Sequence, residues 1–132
     1  MIITDLQAGT AGEYLVCADL ILKGYNAYLS SQGLPYDILA DVDGELIKIQ
    51  VKTTRKERAI PQRKKYTPAY LFYIKRCGKK GVKEYGENDF DVMALVALDI
   101  KRVAYVRKKQ VKKSMHLNRK RFLSLGFEGL WK

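Results

Sequence analysis

Histidine and cysteine are scarce in this 132-residue sequence, which contains one of the first and two of the second. His116 has no evident partner for acid–base work, and a surface position is its expected role. Cys17 and Cys77 do not make a disulfide framework; beside an ample core they read as reduced thiols. Long apolar runs are missing too. The longest, Val92 to Leu98, falls well short of the roughly 20 residues a membrane-spanning helix needs, so no membrane partner is expected. The opening Met1-Ile2-Ile3-Thr4-Asp5 has no basic region ahead of a long apolar stretch, so no secretory signal is expected. These absences point to a cytoplasmic protein. With 47% hydrophobic and 11% aromatic residues, and no repeat, low-complexity tract or boundary, residues 1–132 read as a single α/β domain.

Negative charge is the scarcer sign, and it is unevenly spread. Residues 1–50 contain Lys23 and Lys48 against seven acidic residues, whereas residues 51–132 carry 23 basic against 7 acidic side chains, a net of +16. An acidic first part followed by a strongly basic second part suits a cation site framed by a phosphate-binding surface. The expected partner is therefore nucleic acid.

Periodicity predicts a helix over Leu6–Lys23, its apolar stripe formed by Ala11, Leu15, Ala18 and Leu22 and widened by Tyr14 and Ile21. Gly24 stands at the stop position. Tyr25–Ser30 is a short strand candidate. Asp37–Val42 and Glu45–Thr54 flank Asp43-Gly44, a strong two-residue hairpin signal. Arg55–Lys65 reads as a basic connection, Ala69–Lys75 as a strand and Gly78–Asn88 as a polar loop. Phe90–Leu98 and Arg102–Val106 read as further strands, with Asp89 and Asp91 framing the start of the first, and a helix is expected around Leu117–Leu125.

Alternation along Glu45–Thr54 puts Leu46, Lys48, Gln50, Lys52 and Thr54 on one face and Glu45, Ile47, Ile49 and Val51, largely core, on the other. Asp37 on the neighbouring strand then meets Gln50 and Lys52, and Glu13 arrives from the preceding helix. Mg²⁺ prefers oxygen ligands and keeps several waters, so one or two carboxylates suffice to hold it, with Mn²⁺ able to substitute. Asp37 is the central candidate ligand, joined by the Gln50 amide oxygen and the Val51 backbone carbonyl. Glu13 would bind directly or through water. Lys52 would lower the pKa of an attacking water or accept its proton. Glu13, Asp37, Gln50 and Lys52 are thus the candidate catalytic set of a metal-dependent nuclease.

Gly12-Glu13, Pro35-Tyr36-Asp37 and Gln50-Val51-Lys52, in this helix and hairpin context, resemble the motifs of the PD-(D/E)XK nuclease superfamily. The run Ser30–Ala40 is similar to the loop and strand of archaeal-type Holliday junction resolvases, and Gln50 to its counterpart in group I intron-associated homing endonucleases. The likeness covers Gly9 to about Thr54 well and the remainder loosely. It implies a restriction-endonuclease-like fold, a mixed central sheet with flanking helices, and a Mg²⁺-dependent endonuclease acting on DNA. It also implies branched or four-way DNA as substrate, an expectation joined by the lack of an additional sequence-reading domain, and a homodimer in a nucleoid-associated location. A homing endonuclease, or a nucleic-acid-binding module without catalysis, is the alternative. Gln50 departs from the family's acidic residue before x-Lys, which removes a negative charge from the site.

Around this set, Arg55, Lys56, Arg58, Arg63, Lys64 and Lys65 are expected to grip phosphates beside the cut. Ser30 and Ser31 are candidates for further DNA contacts, although such residues more often make a turn. The basic groups Arg107 to Lys113 and Arg119 to Arg121 would extend the footprint. Tyr66, Tyr70 and Tyr73 are core by default, with stacking on bases the alternative.

Overall fold

The structure, a computed structural model, describes residues 2–59, 68–74, 76–78, 81–83, 86 and 88–130, with backbone alone for 76–78, 81–83 and 129. The expected phosphate contacts Arg63, Lys64 and Lys65, and Tyr66, lie outside the described residues.

Helix α1 (Asp5–Leu22) starts at Thr4, whose hydroxyl accepts the Gln7 N–H at 3.1 Å while Gln7 Oε1 accepts the Thr4 N–H at 2.8 Å. This reciprocal box satisfies two amides that a helix start otherwise leaves orphaned. Gly24, at φ +95°, takes the left-handed stop conformation. The buried face differs from the expected stripe. Ala8, Gly12, Val16 and Leu20 face the sheet, while Tyr14, Ala18, Ile21 and Leu22 are exposed. Apolar residues surround this helix on most sides, so periodicity did not single out the face. The small pair Ala8 and Gly12 decides it by letting the first turns lie close to the strands.

Strands β1 (Asn26–Leu29), β2 (Ile38–Val42) and β3 (Glu45–Thr54) follow. The Asp43-Gly44 turn has both residues at positive φ, 53° and 88°, the twist a two-residue hairpin requires. Beyond it come β4 (Tyr70–Tyr73), β5 (Arg76–Gly78), β6 (Gly81–Lys83), β7 (Val92–Ala97), β8 (Arg102–Arg107) and β9 (Ser114–Leu117), then a short helix α2 (Arg119–Leu123). The main sheet has the order β1-β2-β3-β7-β8, with β3 and β7 parallel and the other pairs antiparallel. It is the mixed sheet expected of a restriction-endonuclease-like fold.

Two expectations change here. Gly78–Asn88, read as a polar loop, contributes β6, which pairs with β5. Ser114–Leu117, read only as part of the basic C-terminal stretch, is a strand that pairs with β4 in a separate antiparallel ribbon. Its partner lies far away in sequence, and four residues carry little periodicity of their own.

The sheet is covered on both faces. On one, Val16 and Leu20 of α1 meet Ile38, Ala40, Ile47, Ile49, Val92, Ala94 and Val96. On the other, Tyr70 and Phe72 of the ribbon and Phe122 of α2 meet Met93, Leu95, Ala104 and Val106. Strand β7 is consequently buried along its whole length, which explains its unbroken apolar sequence. The second cover also buries Gln50 and Thr54 on the β3 face that they share with Lys52. No helix among the described residues is long and apolar enough to cross a membrane.

Candidate active site

Strand β2 is shorter than β3, and this mismatch opens the site. The ladder joins Ile38 to Ile49, and the Asp37 N–H donates to the Ile49 carbonyl at 2.8 Å. Beyond Ile49, β3 has no strand beside it on the β2 edge among the described residues. The Val51 N–H points past the end of β2 and donates to Asp37 Oδ2 at 2.9 Å. In a strand the carbonyl of a residue points to the same edge as its N–H, so the Val51 carbonyl opens toward Asp37 as well. Ser30 supports the turn from below, its hydroxyl donating to the Tyr36 carbonyl at 2.5 Å. Lys48 Nζ lies 5.8 Å from the centre of the Tyr36 ring and donates to the Asn88 carbonyl at 2.7 Å. The Pro35-Tyr36-Asp37 segment is therefore held at both ends.

Glu13 reaches the same space from α1. Burial raises the pKa of its carboxyl, and the charge of Asp37 adds to the rise. Burial likewise raises Asp37, opposed by the Val51 N–H and by the Lys52 ammonium. Two partly desolvated carboxyls, one of them raised further by the charge of the other, with a lysine beside them, form a site whose charge a cation can relieve. Gln50 is buried, and its amide nitrogen sits 3.5 Å from the Val51 carbonyl oxygen. Amide orientation is an assignment made from neighbouring groups, and the opposite one places Gln50 Oε1 beside the Val51 oxygen. The oxygen-rich set of Glu13, Asp37, Gln50 and the Val51 carbonyl fits a hard divalent ion that keeps part of its water shell. No cluster of three or more His, Cys, Asp or Glu side chains occurs among the described residues, so any such ion depends on amide, carbonyl and water oxygens as well.

A cleft of about 380 Å³ lies between α1, the end of β3 and β4, lined among others by Gly9, Glu13, Lys52, Arg55, Arg58 and Tyr73. The β4 wall was not expected. Tyr70 is core, as its default reading has it, whereas Tyr73 is 71% exposed. The alternation of buried and exposed positions along β4 was the available signal.

The basic candidates divide. Arg58 lines the cleft and is anchored by its backbone, which pairs with Ala69. Lys56 is exposed. Arg55 lines the cleft but donates to the Ile3 carbonyl and to Asp5 Oδ1, each at 2.9 Å. Ser30 is committed to the turn, Ser31 is exposed, and neither lines the cleft. Asp91 frames the start of β7 by accepting the Lys48 N–H at 2.9 Å. His116 is exposed.

A family model described as PD-(D/E)XK endonuclease matches residues 4–121. The chain belongs to this family. No curated protein matches it. Among solved structures, it is similar to that of a bacterial homing endonuclease, I-Ssp6803I, at 18% identity and a TM-score of 0.65, over 87% of this chain and 78% of the other. At that identity the likeness speaks for the fold. The candidate residues Glu13, Asp37, Gln50 and Lys52 all lie within the part of the chain that this PD-(D/E)XK endonuclease family model matches.

Proposed function

We propose that this PD-(D/E)XK endonuclease hydrolyses phosphodiester bonds of DNA with Mg²⁺, held by Asp37, the Val51 carbonyl, Gln50 and Glu13. The observation that carries this is the Asp37–Val51 hydrogen bond of 2.9 Å, which fixes the carboxylate beside Lys52 at the open edge of β3. A bound divalent cation supplies polarisation of the phosphate and stabilisation of the leaving oxygen. Asp37 and Glu13 orient a water for attack on phosphorus, and the Lys52 ammonium favours the loss of its proton. The oxygen of that water bonds to phosphorus as the bond to the leaving strand breaks, its proton passes to solvent, and solvent protonates the leaving oxygen, giving one cleaved phosphodiester. Arg58 and Arg55 neutralise the flanking phosphates, Arg55 after exchanging Asp5 for DNA.

The substrate we favour is a linear duplex site cut by a homodimer, one active site per strand, in line with the homing endonuclease of similar fold. Resolution of four-way junctions is the second reading, favoured by the likeness of Ser30–Ala40 to junction resolvases. Both place the protein with DNA inside the cell.

The test is cleavage of linear duplex, four-way and single-stranded DNA with and without Mg²⁺, with Asp37→Asn and Lys52→Ala beside the wild type. Cutting by wild type alone, with both variants still binding, is expected. Paired cuts in a linear duplex support the first reading and symmetric nicks in the junction the second. Failure to cut four-way DNA, single-stranded DNA and every member of a linear duplex pool of randomised sequence, with Mg²⁺ or Mn²⁺, rules out the enzyme.

A further inference from the structure

The β4–β9 ribbon stands apart from the main sheet, and its two faces have different chemistry. Register pairs Tyr70 with Leu117 and Phe72 with Met115 on the face turned to the core. It pairs Leu71 with His116 and Tyr73 with Ser114 on the other. Tyr73, Ser114 and His116 are all exposed and Leu71 is partly so, and this face has no acidic side chain.

The ribbon also separates two recesses. On the β4 side is the cleft with Lys52, Arg55 and Arg58, which Leu71 and Tyr73 help to line. On the β9 side is a second recess of about 390 Å³, lined among others by Lys112, Ser114, His116 and Arg121. A two-stranded ribbon with basic side chains beside each edge, Lys52, Arg55 and Arg58 among Asp5 and Glu13 on one side and Lys112 and Arg121 on the other, complements a DNA major groove. Such a groove is about 12 Å wide, admits a two-stranded ribbon, and is bordered by two phosphate backbones.

Resting on the reading of this site as a DNA endonuclease, we infer that the β4–β9 ribbon enters the major groove beside the cut. One backbone runs along the cleft at Lys52, Arg55 and Arg58, and the other crosses the recess at Lys112 and Arg121. Tyr73, Ser114 and His116 face the base edges. Ser114 offers a hydroxyl donor and acceptor, and His116 one donor and one acceptor nitrogen. Tyr73 stands nearest the catalytic lysine, since it shares the cleft with Lys52, and it contacts the base pair next to the scissile phosphate. The catalytic set thus supplies cleavage and the ribbon supplies position along the duplex, a division between phosphate contacts and base contacts.

Two measurements test this. The first uses Asp37→Asn protein, which does not cut, bound to a linear duplex over a range of salt concentrations. Adding Lys112→Ala and Arg121→Ala should reduce the slope of log affinity against log salt by roughly two and weaken binding roughly tenfold or more at 0.15 M salt. The second sequences the ends produced by wild type, His116→Asn and Tyr73→Ser from a pool of duplexes randomised around the cut. Altered base preference at fixed distances from the cut, with cleavage retained, is expected. Unchanged slope and unchanged preference, with melting temperatures intact, overturn the inference. Because the binding measurement needs no catalysis, a wild type that binds but never cuts refutes the nuclease reading while leaving the ribbon's role to be decided by the slope.

Discussion

A β-carbon on Gly12 would lie 1.9 Å from Thr53 Oγ1, so α1 rests on β3 at a position where the helix has no side chain. Glu13 follows Gly12, and Lys52 precedes Thr53. This contact of helix and sheet is thus one residue removed, on each side, from the candidate catalytic groups. Thr53 Oγ1 is buried there and has no hydrogen-bond partner among the described residues. The hydroxyl is tolerated at a contact that sets the height of Glu13 above the strand.

Gly12→Ala should therefore destabilise the protein by about 1–3 kcal/mol, the usual cost of overpacking, because the obstructing atom belongs to a stiff β-branched side chain. Thr53→Ala in the same chain should restore much of the loss by removing that atom. Denaturant unfolding of the two single variants and the double variant measures the coupling. A coupling energy below about 0.5 kcal/mol means that the contact is not tight.

Asp37→Asn should raise the melting temperature of the cation-free protein while lowering cleavage by more than about a hundredfold. The amide keeps an oxygen for the Val51 N–H and removes a charge that burial disfavours. Thermal melts in chelator, set beside a cleavage assay, check both halves. A lower melting temperature contradicts the view that this carboxylate is held at a cost to stability.

The same groups set a pH dependence of definite sign. The native state binds protons at Glu13 and Asp37 more tightly than the unfolded chain does, because both carboxyls are raised. Their contribution to stability is present below the ordinary carboxylate range of about 4 and is lost as pH rises through the elevated native values. Cleavage should run the opposite way, increasing with pH over that window as both groups ionise. Mg²⁺ should stabilise the fold more at about pH 7.5 than at about pH 5, since it competes with those protons. Melting curves at the two pH values with and without Mg²⁺ decide the matter; equal shifts contradict it.

Gln50→Glu returns a carboxylate to the motif position. It should move the Mg²⁺ dependence of cleavage to lower concentration by about tenfold, through added charge at a buried oxygen ligand, and lower the melting temperature in chelator. A Mg²⁺ titration of the initial rate is the measurement. An unchanged midpoint removes Gln50 from the ligand set.

Much of the fold was legible because its signals are local. Gly24 and Asp43-Gly44 act through backbone sterics within a few residues, so the end of α1 and the β2–β3 hairpin could be read directly, whereas the Thr4–Gln7 box at the helix start was not read. The unbroken apolar run at β7 likewise announces a strand covered on both sides. The face of α1 could not be read in this way. Leu22 looks like core by spacing but is 88% exposed, because the helix follows the path that Gly12 opens to Thr53. Strand β9 was invisible for a related reason: Ser114–Leu117 becomes a strand by pairing with β4.

The chain's family, the candidate trio Asp37, Gln50 and Lys52, and a cationic second part suited to DNA were legible in the sequence alone. These depend on residue type and short spacing. Only the tertiary structure decided that Asp37 binds the Val51 N–H, that Glu13 comes near enough to feel the charge of Asp37, and that Tyr73 shares a cleft with Lys52. Each joins residues from different elements, and their separation is set by how α1 and the ribbon pack on opposite faces of one sheet.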